Sequence, residues 1–154
     1  MADSPRTSPD ESWPDVSMTD DEAAAFLARA GDGVLTLHGD PPHSFPVSFA
    51  YDAETGRCLL QFVCHSASRK RAVLRDDPAA TLVAYETTSP DDWASVVVAG
   101  ALAALDAPDA DDRRAYAEQA TPIGLSVFDA DPADLDVAWY ELRPESVSGR
   151  RSPV

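Results

Sequence analysis

Between Gly33 and Leu105 the apolar residues recur at every second position, in short runs closed by turn residues. His43-Ser-Phe-Pro-Val-Ser-Phe-Ala-Tyr51 is the clearest run, with Phe45, Val47, Phe49 and Tyr51 on one face. A period of two belongs to a β-strand that buries one side. Gly33–His38, Cys58–His65, Ala79–Glu86, Trp93–Leu105 and Val137–Leu142 are also read as strands, and Gly39-Asp-Pro-Pro42 and Asp52-Ala-Glu-Thr-Gly-Arg57 supply turn chemistry. About six strands joined largely by turns make a mainly β (α+β) antiparallel arrangement, with no alternating βαβ pattern. A barrel or half-barrel closes such strands. Pro46 leaves a gap in the donor row of its strand, so that stretch is an edge, a bulge or a place where something else approaches.

Three helices sit at the periphery of this pattern. Thr19-Asp-Asp-Glu22 is a capping box, in which the Thr hydroxyl and the Glu carboxylate satisfy amides of a new helix. Ala23, Phe26, Leu27 and Ala30 then form one apolar stripe, and Gly31 ends it. A short helix is expected between His65 and Ala79, and Asp109–Gln119 reads as another. Residues 1–17 are rich in Ser, Pro, Asp and Glu and are expected to be a disordered acidic tail. The folded domain is placed at 18–145, with a flexible C-terminal tail over 146–154.

Charge sets limits on function. Among 154 residues, 12 Lys+Arg face 27 Asp+Glu, a net charge of −15. A general surface of that sign does not grip nucleic acid or an anionic membrane. No apolar run approaches the roughly 18 residues of a membrane span, and the first residues show no secretory signal. A cytoplasmic protein is expected. Lys70 is the only lysine, and an acidic, lysine-poor surface stays hydrated in concentrated salt, so a halophilic source is expected. Cys58 and Cys64 end one strand, on the order of 20 Å apart, and a disulfide needs its Cα atoms within about 7 Å. They are read as two small buried thiols.

Against this acidity, four of the cations crowd into Arg69–Arg75, where a strand gives way to a helix. Ser68 is a good N-cap, and a helix N-terminus offers unpaired N–H groups and a partial positive charge. Cations added there conflict with the dipole, and a bound anion relieves the conflict. Ser66, Ser68, Arg69 and Lys70 therefore read as a phosphate cradle. The alternative is that these cations pair with Asp76, Asp77 and the acidic surface around them.

Elsewhere, His38 and His43 flank a turn without a third ligand and read as surface residues. Trp93 and Trp139 read as core or dimer-interface aromatics, with Trp139 also able to stack on a ring. There is no G-x-G-x-x-G, Walker A or H-E-x-x-H motif, and Gly124-Leu-Ser-Val-Phe lacks the second glycine of a nucleophile elbow.

The order Pro46-Val-Ser-Phe49, His65-Ser, Ser68-Arg-Lys70, Leu74-Arg-Asp-Asp-Pro78, Ser95-Val-Val-Val-Ala-Gly100 resembles the pyridoxamine 5′-phosphate oxidase-like flavin-binding proteins, nearest their short nitroimidazole-resistance-type branch. The resemblance spans roughly residues 19–143. It implies a six-stranded split β-barrel that works as a homodimer, with FMN in each of two clefts at the interface. By position, Arg69 and Lys70 would hold the FMN phosphate, with Ser66 and Ser68 beside them. Pro46, Val47, Ser48 and Phe49 would face the isoalloxazine ring, and His65 would lie near it. Ser95 stands where true pyridoxamine phosphate oxidases carry Gln, and Val137–Arg151 shows no substrate-phosphate motif. The implied activity is thus an FMN-dependent oxidoreductase of a small molecule, not the vitamin B6 reaction. Non-enzymatic flavin or haem carriage, and a deazaflavin-dependent reductase, are the alternatives on the same fold.

Overall fold

The computed structural model describes residues 15–65, 78–121 and 135–153. Its elements are α1 (Asp20–Ala30), β1 (Asp32–Leu37), β2 (His43–Tyr51), β3 (Cys58–His65), β4 (Ala79–Ser89), β5 (Asp92–Leu105), α2 (Ala110–Gln119) and β6 (Leu135–Arg151). The six strands form a closed barrel in the order β1-β2-β3-β6-β5-β4, every neighbouring pair antiparallel. This is the expected mainly β barrel. The short helix expected between His65 and Ala79 lies outside the described residues.

Alternation decides which side chains fill the barrel. Phe45, Val47, Phe49 and Tyr51 of β2 point inward, as do Leu35 and Leu37 of β1 and Leu60 and Phe62 of β3. Ala80, Leu82 and Ala84 face Val96 and Val98 across the same interior, the small residues leaving room for the large ones. α1 plugs one end with Ala23, Phe26 and Leu27. Its capping box is formed as expected: Glu22 N–H donates to Thr19 Oγ1 at 3.1 Å, and Thr19 N–H donates to Glu22 Oε1 at 3.1 Å. Gly31 ends the helix at φ +80°, and its carbonyl accepts from both Phe49 N–H and Thr121 N–H. Gly33 is required for closure, because a Cβ there would stand 2.5 Å from the Val83 carbonyl oxygen of β4.

Two chain ends are corrected. The last strand runs to Arg151, so residues 146–151 are ladder and not tail. Pro144 and Gly149 make this stretch look like a terminus. A register shift between Ala99 and Gly100 accommodates Pro144, and Gly149 leaves room for Met18, whose Sδ lies 2.5 Å from where a Cβ would be. The far edge of β6 is bonded to the end of the supposed acidic tail: Met18 N–H donates to Gly149 O, and Arg151 N–H donates to Val16 O. Arg151 Nε also bonds Glu22 Oε2 at 2.8 Å. That bond, then the Thr19 amide, holds the Glu22 carboxyl below its usual range.

Cys58 faces the interior as a free, wholly buried thiol. Burial, with the Glu141 carboxylate adding to it, pushes the thiol up to about 12. No helix among the described residues is long and apolar enough to cross a membrane. In a Cys64→Ser variant, Cys58 should stay silent to an aromatic disulfide reagent at pH 8 while the protein is native. One thiol should titrate once denaturant unfolds it, and rapid native labelling would contradict this placement.

Candidate functional site at the split between β2 and β3

One seam of the barrel is incomplete. β2 and β3 pair only through Phe49↔Leu60, Ala50↔Leu59 and Tyr51↔Cys58, although β2 begins at His43 and β3 continues to His65. Beyond Phe49 and Leu60 the strands part. β2 stays on β1, from Ser48↔Asp32 to His43↔Leu37, and β3 stays on β6 as far as His65↔Leu135.

The direction of the main chain in this gap follows from one bond. Phe49 N–H donates to Gly31 O, on the β1 side, so by strand alternation Ser44, Pro46 and Ser48 direct their main-chain groups toward β3, into the gap. Pro46 therefore withholds a donor where no ladder partner stands. The expectation that Pro46 marks an edge is met in this form.

Side chains hold the parted strands together on both sides of the wall. Inside, Phe45 meets Phe62 edge-on at 5.6 Å, Phe62 packs on Tyr140 at 4.9 Å, and His43 lies on Phe45 at 5.4 Å. Outside, α2 lies over β2. Gln119 Oε1 accepts from Tyr51 N–H at 3.1 Å, and the Ser48 hydroxyl donates to the Thr121 carbonyl. Arg57 ties down the other end of α2, with Nη1 at 2.6 Å from Asp112 and Nε at 3.3 Å from Glu141. The Asp112 hydrogen bond keeps the guanidinium still more firmly charged than usual. No residue of α2 is fully buried, so these polar contacts, with Tyr116 edge-on to Trp139 at 5.0 Å, fix its place.

Pro46, Val47, Ser48 and Phe49 thus line β2 at the gap, and His65 ends β3 on the other side, its side chain outside the described part. Ser66, Ser68, Arg69 and Lys70 lie outside the described residues. Val47 and Phe49 point their side chains into the core and their main-chain groups toward β1, so along this stretch only the main chain of Pro46 and Ser48 is turned to the gap. Ser48 is the one buried polar side chain among the described residues. The gap offers main-chain groups and the Ser48 hydroxyl opposite the stretch of β3 that follows Leu60. That donor and acceptor set fits the polar edge of a flavin ring, which carries both. Sequence reasoning missed Tyr116, Gln119 and Arg57, since an acidic helix without an apolar stripe gives no sign of what it covers.

Ser95 is not brought to this gap. It pairs with Tyr85 on β4 and Arg150 on β6, and the way from β2 crosses β1 and β4, about 14 Å around a convex wall. It belongs to an outward face with an unusual composition. Pro46↔Val34↔Val83↔Val97↔Ser148 run side by side across five strands. Tyr85, 68% exposed, lies in the next row. None of these residues is a carboxylate. A shallow groove of about 360 Å³ between Pro46, Gly33 and Tyr85 opens at its edge, and there two carboxylates, Asp32 and Glu86, join the lining. Neither Trp93 nor Trp139 belongs to the buried core. His38 is exposed and bonds Thr81 through Nε2 at 2.7 Å, and His43 is half-buried.

The Arg57 tether yields a direct test. Asp112→Ala should lower stability by on the order of 1 kcal/mol in low-salt urea unfolding, and by less in molar salt, since the pair is partly exposed. No change at low salt would show that Arg57 does not hold α2.

Comparison with known proteins places the chain. A family model described as pyridoxamine 5′-phosphate oxidase matches residues 19–151, and no curated protein matches the sequence. Among solved structures, an FAD-binding protein from Mesorhizobium loti superposes with a TM-score of 0.62 at 22% identity, covering 88% of this chain and 96% of that one. An FAD-binding protein from Mycobacterium smegmatis gives 0.63 at 16%, covering 90% and 99%. A haem-binding protein from Mycobacterium smegmatis gives 0.58 at 20%, covering 84% of this chain and 53% of that one. With its split six-stranded barrel and a family match over nearly all of the described fold, the chain belongs to the pyridoxamine 5′-phosphate oxidase family.

Proposed function

We propose that this chain is a cytoplasmic FMN-binding oxidoreductase that works as a homodimer. The observation that carries the reading is the gap between β2 and β3, toward which Pro46 and Ser48 turn main-chain groups and along which β3 runs on unpaired with β2 from Gln61 to His65. The cations Arg69 and Lys70 follow the end of β3 after three residues in sequence, and a pair of this kind suits a phosphate. Flavin-binding relatives of the same fold add support. The bound flavin supplies hydride chemistry. The protein's part is to hold the phosphate, seat the ring edge against β2 and keep water from its face.

Dimerisation is supported by the outward face. A chain with 27 carboxylates keeps them out of the Pro46–Val34–Val83–Val97–Ser148 row and leaves Val34, Val97 and Tyr85 exposed. That is the composition of a covered surface. Ser95 and Pro46–Phe49 stand too far apart around one barrel to share a ring. Two chains packed on this face would supply both.

Three experiments test these claims. Titrated with FMN, the protein should develop the visible band of a bound flavin, and NADH or NADPH should bleach it. Saturation with haem and none with FMN would favour the carrier function of the haem-binding relative. Arg69→Ala with Lys70→Ala should weaken FMN at least tenfold and leave riboflavin nearly unchanged, because charge-assisted bonds are worth roughly 1.5–3 kcal/mol each. Equal weakening of both flavins would remove the phosphate assignment. Separately, Val97→Glu should shift the molecule from dimer to monomer in light scattering, and a wild-type monomer at micromolar concentration would overturn the homodimer.

A further inference from the structure

β2 changes partners along its length. From His43 to Ser48 it pairs with β1, and from Phe49 to Tyr51 with β3. The wall splits at this crossing, so the position of Ser48 sets where the gap begins. Ser48 faces Asp32, the first residue of β1. Phe49 N–H donates to Gly31 O at 3.0 Å, so by alternation Ser48 and Asp32 exchange no main-chain bond of their own. The same alternation sets both side chains on the outer surface, since Phe49 and Leu35 occupy the core.

Thr121, just past the end of α2, joins that pair from outside. The Ser48 hydroxyl donates to its carbonyl, its own hydroxyl donates to Asp32 Oδ1 at 2.8 Å, and its N–H donates to Gly31 O at 3.0 Å. The three polar groups of one residue thus engage β2, β1 and the cap of α1. We propose that Thr121 is a positioning residue, which clamps the Asp32–Ser48 pair and fixes the point at which β2 leaves β3. Its moorings, Gly31 and Asp32, lie on the side of α1 and β1, so its bond draws Ser48 toward β1. Beyond Leu60, β3 faces β2 with an open edge, and open edges tend to pair. The clamp opposes that closure.

Neighbouring contacts work in the same direction. Thr36 and Ser44, another facing pair of β1 and β2, join their hydroxyls at 2.8 Å. The stretch of β2 along the gap is therefore stitched to β1 by side chains at both ends. Past the crossing, where β1 has not yet begun, Gln119 Oε1 takes the Tyr51 N–H at 3.1 Å. Gly31 shapes the seat of the clamp, for a Cβ there would stand 2.6 Å from Gln119 O and 2.7 Å from Thr121 Oγ1. For what enters the gap this role rests on the flavin reading above, but the clamp itself does not.

Thr121→Val in the full chain removes the hydroxyl and keeps the branched shape, whereas Thr121→Ser keeps the hydroxyl. In Thr121→Val, amide exchange at Phe49, whose N–H bonds Gly31 O beside the clamp, should accelerate about threefold to tenfold, the factor of one lost hydrogen bond. FMN and riboflavin should both weaken by about the same factor, with a shifted visible band, because the defect lies at the ring edge and not at the phosphate. Thr121→Ser should match the wild type in exchange, affinity and spectrum. Ser48→Ala cuts the other link and should reproduce the effects of Thr121→Val; combining the two should add little. Unchanged exchange at Phe49 in both single variants would overturn the clamp. Faster exchange with unaltered flavin affinity and spectrum, or a loss that Thr121→Ser shares in full, would overturn the positioning role. If the wild-type protein binds no flavin, the functional reading falls, and exchange at Phe49 alone decides whether the clamp exists.

Discussion

Three backbone pairs are all that join β2 to β3, and the arrangement of the molecule answers that shortage. A β-strand with an unpaired edge is costly in a closed core and hazardous on a surface. Here every other seam of the barrel is longer, from the four pairs of β1 with β4 to the run of β5 and β6 from Ala94↔Arg151 to Leu105↔Trp139. The parted seam is held by side chains instead, with aromatic rings from β2, β3 and β6 inside and the polar contacts of α2 outside. The barrel is therefore closed by backbone pairing around most of its wall and open along one slot. A slot of that kind, with oriented main-chain groups and a dry interior behind it, suits a flat polar ring.

Much of this wall was legible in the residues. Phe45, Val47, Phe49 and Tyr51 alternate so regularly that the inward face of β2 follows from spacing alone. Thr19 and Glu22 announce the start of α1, and Gly31 its end, because each residue type has a specific job at a helix terminus. Pro46 marks the edge of β2 through its missing N–H. What could not be read was long-range. The stretch 146–151 has little apolar content and becomes a strand only because β5 on one side and residues 16–18 on the other supply its partners. Local propensity cannot report a tertiary pairing of that kind.

The site divides along the same line. Pro46–Phe49 line one side of the gap and β3 from Leu60 onward the other, with His65 at the far end of β3 on β6. Ser95 does not join them in one chain, since strand order in the barrel sets β1 and β4 between them. Tyr116 carried no signal, lying in a helix of Asp, Arg, Ala and Glu with no apolar stripe. Its ring packs against Trp139 of β6, a contact that local sequence does not announce. The acidic composition has a spatial form as well, for the row Pro46–Val34–Val83–Val97–Ser148 holds no carboxylate in a strongly anionic chain, while Asp32 and Glu86 stand at its edge beside Tyr85.

The central claim is that the gap between β2 and β3 receives the flavin ring. Amide chemical shifts of the isotope-labelled protein, followed as FMN is added, test it residue by residue. The account predicts that the largest changes fall on Val47–Phe49 and on Gln61–His65, with Leu35, Leu82 and Val96 in the barrel interior little affected. Changes centred on α1 or on the β5–β6 seam, with the gap silent at saturating FMN, would contradict it.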